Sequence, residues 1–102
     1  MSVIVVATIT PQPGKEAEVE AVFAAAIPTV HQEPGCELYA LHRREGALVM
    51  IERWADADAL QTHSKGPAMA EIGAGLANLV AGRPEITVLE PLPQGDPAKG
   101  AL

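Results

Sequence analysis

Two short stretches of this chain, Val3–Ile9 (VIVVATI) and Leu48–Ile51 (LVMI), are apolar at both parities. A strand with one wet face alternates apolar and polar residues, so a run without alternation marks a strand enclosed on both sides. Two such strands in 102 residues leave room for one sheet around one core, near the size where stability is thin.

The segments between them read clearly. Pro11, Pro13 and Gly14 end the first strand. From Lys15 onward Val19, Val22, Phe23, Ala26, Ile27 and Val30 recur at helical spacing. Glu16, Glu18 and Glu20 sit near the helix start, where the dipole favours negative charge. Pro28 is expected to kink or loosen the last turn. Glu33-Pro34-Gly35 signals a turn. Cys36–Arg43 alternates more visibly and reads as an edge strand, joined through Arg44-Glu45-Gly46 to Leu48–Trp54. Asp56 offers an N-cap to a short helix carrying Leu60 and His63. After Gly66 a second helix opens on Pro67, with Met69, Ile72, Gly73, Leu76, Leu79 and Val80 as its apolar stripe. Gly82 reads as its C-terminal cap. Glu85–Leu89 is a last strand with Ile86 and Val88 on one face. Residues 92–102 read as an irregular or disordered tail outside a domain spanning residues 1–91.

The order is β-α-β-β-α-β with the second helical region divided, the pattern of the α+β ferredoxin-like split βαβ fold. That topology puts the first and third strands in the centre, and those are the two apolar runs. Helices cover only one face of such a sheet, yet Val3–Ile9 is apolar on both. Each fully buried aliphatic side chain is worth roughly 1.5–3 kcal/mol, so a second copy packed sheet to sheet is expected. The chain should be a homodimer.

Composition narrows the function. Thirteen acidic against seven basic side chains give a formal charge of −6, which repels phosphate backbones and anionic lipid, so no nucleic-acid partner is expected. The opening MSVIVVATIT lacks a basic leader and is far shorter than the about 20 apolar residues of a membrane span. A lone Cys36 allows no internal disulfide or multi-thiolate metal site, and a cytoplasmic setting is the simplest reading. There is no GxSxG, CxxC or HExxH, and Gly73-Ala74-Gly75 lies within a helical stripe, where it makes no dinucleotide loop. His31 and His42 fall on other elements than His63, so no metal site is expected.

Aromatics make up only 3% of the chain, so Phe23, Tyr39 and Trp54 stand out. Trp54 ends a buried strand, and His63 follows one short helix later on the face it shares with Ala59 and Leu60. The two can line one cavity. Glu52 lies on Trp54's side of the strand by the period of 2 and is placed to orient His63. Tyr39 faces either the cavity or a dimer interface; parity leaves both open.

EPGC at Glu33–Cys36 followed by Tyr39, VMIERW at Val49–Trp54, and Ala59-Leu60 leading to His63 together resemble the antibiotic-biosynthesis monooxygenase superfamily. IPTV at Ile27–Val30 and MIERW are most similar to its small bacterial quinol monooxygenases. The resemblance runs from Val3 to about Pro91. It implies a dimeric α/β barrel with an apolar pocket in each subunit. It also implies oxygenation of quinols or polycyclic phenols by dioxygen without a bound cofactor. A quinolate can itself pass an electron to dioxygen, so the protein needs a dry pocket, a base and a positioning group. On that reading His63 is the base, with an unperturbed pKa of about 6.5, and Trp54 is the main substrate wall. Glu52, Tyr39, Met69 and Ile72 complete the contacts to a small aromatic substrate. Two other classes fit the same fold: a non-catalytic small-ligand or stress-associated dimer, and an isomerase of small lactones. Such quinol monooxygenases often carry a second histidine where this chain has Ala68. Gly73 and Ala7 stand where the haem-degrading branch needs histidine and asparagine, which disfavours haem degradation.

Overall fold

The computed structural model describes residues 1–102. The elements are β1 (Val3–Ile9), α1 (Glu16–His31), β2 (Cys36–Arg44), β3 (Ala47–Trp54), α2 (Ala57–Ser64), α3 (Pro67–Leu76) and β4 (Glu85–Leu89). The strands form one antiparallel sheet in the order β2-β3-β1-β4. The fold is therefore α+β and ferredoxin-like, with the two apolar runs at its centre. No helix is long and apolar enough to cross a membrane.

Register divides the sheet into two chemically different faces. Val5, Ala7 and Ile9 of β1 pair with Glu52, Met50 and Leu48 of β3, and this face meets the helices. Val19, Phe23, Ala26 and Val30 of α1 and Ala68, Ile72 and Leu76 of α3 are buried against it. Burial along β3 alternates, with Leu48, Met50, Glu52 and Trp54 enclosed and Val49, Ile51 and Arg53 less so. Val6, Val49, Ile51, Leu38 and Ala40 belong to the opposite face, which no helix covers.

The last turn of the first helix is kept despite Pro28, and two details further along differ from the sequence reading. The first helix continues through Pro28 to His31. Proline forfeits one backbone bond there, and the turn is closed by the Gln32 amide, which donates to the Thr29 carbonyl, and by the Glu33 amide, which donates to that of Val30. The third helix stops at Leu76, six residues before the expected glycine cap, and Asn78 takes a left-handed φ of 67° beyond it. Leu79 and Val80 leave the helical stripe to pair with the chain after β1, through Gln12 N–H to the Leu79 carbonyl and a Pro11–Val80 bridge.

The early end of α3 has a further consequence. It leaves β4 without a helical cover, so Ile86 and Val88, although on the helix side of the sheet, are 63% and 59% exposed. The uncovered space between β4, the sheet centre and α2–α3 is a cavity.

Candidate functional site

The cavity has a volume of about 610 Å³, within the roughly 300–1,000 Å³ of small-molecule sites. Its floor is the sheet (Val5, Ala7, Met50, Glu52), its roof is α2 and α3 (Leu60, His63, Met69, Ile72, Leu76), and Ile86 and Val88 flank its opening. The lining is mostly apolar, and its polar side chains are few: Tyr39, Glu52, His63, Ser64, Asn78 and Arg83.

His63 reaches the cavity because α2 is fixed at both ends. Asp56 caps its first turn, accepting from the Ala59 amide at 2.8 Å. The turn after α1 packs on the same place: the Ala55 amide donates to the Gly35 carbonyl at 2.8 Å. Gly35 has φ +82°, and a Cβ on it would lie 2.5 Å from the Ala59 Cβ. Only glycine allows both the backbone and the approach. One helical turn beyond Ala59, this docking sets Glu33 beside His63, with Oε1 2.6 Å from Nδ1. A carboxylate only accepts, so Nδ1–H donates to Glu33 and Nε2 is the unprotonated nitrogen of the neutral ring. Glu33 lies outside the cavity lining and His63 within it, which leaves Nε2 to the cavity.

Behind the imidazole stands Trp54, with ring centroids 4.4 Å apart and planes tilted by 31°. Tyr39 meets His63 edge to face at 5.4 Å. Trp54 is fully buried and is not among the residues lining the cavity. This corrects its expected place as the substrate wall. Because α2 folds back over the end of β3, His63 and Glu52 stand between the indole and the cavity. The indole N–H donates to Glu52 Oε1 at 2.9 Å.

Glu52 is likewise not where it was expected to act. The carboxylate that orients His63 is Glu33, and Glu52 is held by Trp54. It is 5% exposed on the cavity floor. Burial pushes its carboxyl above the usual range, and the nearby Glu33 charge adds to this; the Trp54 bond and His63 oppose it. Tyr39 lines the cavity, one of the two places that parity allowed it. Burial, then the charges of Glu52 and Glu33, push its phenol far above the ordinary tyrosine range. Met69 and Ile72 line the cavity. Ala68 is buried in the core and is not part of the lining. No group of three or more His, Cys, Asp or Glu side chains is arranged to hold a metal ion.

In the sequence Glu33 reads as the start of a turn and of the EPGC motif, with no role at the site, and nothing there places Asn78 and Arg83 at the cavity. The signal for Glu33 was present as a carboxylate immediately before Pro-Gly, but spacing says nothing about a partner 30 residues away.

A sequence model of the antibiotic biosynthesis monooxygenase family matches residues 2–74. Rv0793 of Mycobacterium tuberculosis, named as a candidate monooxygenase, is 32% identical over 92 residues, which is 88% of this chain and 91% of its own. Its solved structure superposes with a TM-score of 0.85 at 30% identity, covering 94% of this chain and 100% of that one. A Caulobacter crescentus structure, named as a candidate antibiotic biosynthesis monooxygenase, superposes with a TM-score of 0.80 at 38% identity over 86% of this chain and 87% of its own. PA3566 of Pseudomonas aeruginosa is similar at 29% identity and a TM-score of 0.81, over 89% and 94% of the two chains.

Proposed function

The chain belongs to the antibiotic biosynthesis monooxygenase family, and from that premise we propose that it oxidises a quinol, or a related phenolic or polycyclic aromatic compound, with dioxygen and no cofactor. The observation that carries this reading is a single imidazole, oriented by Glu33 through Nδ1, on the wall of a cavity that is otherwise mostly apolar. The substrate gives up two hydrogens and four electrons to one dioxygen. One oxygen atom stays on carbon and the other leaves as water.

In this mechanism His63 Nε2 removes the first proton and so makes the electron-rich anion that reacts with dioxygen. Glu33 keeps the imidazole in the tautomer that leaves Nε2 free, and it stabilises the imidazolium that forms. The face of Trp54 and the edge of Tyr39 hold the ring plane. Met50, Met69, Ile72 and Val88 supply the apolar surface that takes a planar substrate and excludes water.

The functional unit in this proposal is a homodimer, since the helix-free face of the sheet presents Val6, Leu38, Ala40, Val49 and Ile51. We place the domain at residues 1–91 and treat residues 92–102, which contain no helix or strand, as an addition to it. The lone, reduced Cys36 fits a cytoplasmic setting. The test is oxygen uptake by metal-stripped protein against a panel of quinols and anthrones. Stoichiometric uptake with one labelled oxygen in the product is expected. Tight binding of such compounds without uptake would favour a non-catalytic ligand-binding protein of the same fold.

A further inference from the structure

Glu52 is the unexplained group of this cavity. A carboxyl in the middle of a sheet, paired in register with Val5 on one side and Tyr39 on the other, is costly to bury and is seldom found without a partner. Trp54 Nε1 takes Oε1. No side-chain oxygen is both enclosed and without a hydrogen bond, so Oε2 is the atom that Glu52 leaves to the cavity. If Glu52 served only to anchor the indole, a neutral amide or a backbone carbonyl would do so without placing an ionisable group on the floor.

Resting on the oxygenation reading above, the geometry points to Glu52 as the acid that protonates the departing oxygen when the O–O bond breaks. In the first half of the cycle His63 removes one proton from the substrate, and the resulting anion adds dioxygen to carbon. The carbon-bound peroxide anion takes the proton back from the imidazolium, giving a hydroperoxide and a neutral His63. In the second half His63 removes the proton remaining on that carbon, and the C–H electron pair becomes the C=O bond. The O–O bond breaks, and Glu52 gives its proton to the distal oxygen, so that water leaves in place of hydroxide. Imidazolium and carboxylate then face the same cavity, and transfer of the proton between them resets both. Every atom and electron comes from the substrate and one dioxygen.

The surroundings of Glu52 fit this role. His63 of α2, Glu33 before β2, and Tyr39 and Cys36 of β2 are the titratable groups near it. The segment after α3 adds Arg83 to the cavity lining, and the lining residues of α3 itself carry no charge. Burial and the Glu33 charge favour the protonated carboxyl. His63 is the base of the pair and Glu52 the acid, set apart by environment.

Glu52→Gln keeps an acceptor for the indole but has no proton to give. The variant should lose about 10²-fold in kcat with KM nearly unchanged, and it should release hydrogen peroxide where wild type releases none. Its pH–rate profile should lack the limb at which activity falls as Glu52 ionises. Turnover, pH profile and peroxide release like those of wild type would overturn the assignment. A second readout needs no substrate. Trp54 is the only tryptophan and bonds Glu52 directly, so its emission should change with pH in a step that comes from Glu52. Glu52→Gln should lose that step. If wild type oxidised no quinol or anthrone, the proposed function would fail, while this titration would still decide whether Glu52 holds an exchangeable proton. A titration lacking the Glu52 step in wild type would refute the proposal, even if Glu52→Gln could not be folded for comparison.

Discussion

Glu33 Oε1 and His63 Nδ1 lie 2.6 Å apart, although the residues are separated by 30 positions. A turn after α1 and a helix after β3 meet at this bond. Glu33→Ala should lower kcat at least about tenfold, as part of the worth of a positioned base, with a smaller change in KM. It should also destabilise the fold by about 1–3 kcal/mol, because it leaves a buried donor unpaired. Glu33→Gln, which still accepts at Oε1, should recover part of both losses. Steady-state kinetics beside urea unfolding would check the split.

The contact that brings these two groups together is Gly35 on Ala59. Gly35→Ala adds a methyl group 2.5 Å from the Ala59 Cβ at φ +82°, and should cost about 2–4 kcal/mol from overpacking and backbone strain together. Since the turn must move off α2, activity should fall along with the unfolding midpoint. Gly14→Ala also has a positive φ, but nothing lies within 4 Å of its Cβ. It should lose only the smaller, conformational part.

Stability should also respond to pH through Glu52. Its folded-state carboxyl titrates above the unfolded one because of burial. In that window the native state holds a proton that the unfolded chain has released. The Glu52 contribution to Tm therefore falls as pH rises from the ordinary glutamate range through the raised value, and levels off above it. Glu52→Gln should flatten this part of the profile. A calorimetric pH series of both proteins would check it; identical slopes would mean that Glu52 is not a proton-binding group of the native state.

Much of the architecture was legible because period alone decides it. The non-alternating Val3–Ile9 and Leu48–Ile51 runs marked the two central strands, and Asp56 and Pro67 marked the starts of α2 and α3. Period also put Glu52, Trp54 and His63 on inward faces. It could not rank inward side chains by depth, which depends on how α2 folds over the end of β3. Hence Trp54 was expected at the cavity surface and lies behind His63. Nor could period find Glu33, whose partner is chosen by the docking of two turns. The end of α3 was misjudged for a related reason: Leu79 and Val80 fit the helical stripe, yet backbone bonds to the chain after β1 claim them instead.

Assembly gives an independent check. The helix-free sheet face should bury at least about 1,200 Å² in total against a second copy, so sedimentation at micromolar concentration should show a dimer. Ile51→Glu, on that face, should shift it toward monomer. A monomeric wild type of 10.6 kDa would exclude sheet-to-sheet pairing.

The central claim is that His63 is the base of a cofactor-free oxygenation, and oxygen-electrode turnover of metal-stripped wild type and His63→Ala on the same quinol tests it most directly. Wild type should consume one dioxygen per substrate. His63→Ala should be slower by about 10²–10⁴ near neutral pH, with substrate binding little changed. Activity of the variant should recover as rising pH ionises the quinol without help. Turnover of His63→Ala within about twofold of wild type at neutral pH, where a positioned base is worth far more, would contradict the account.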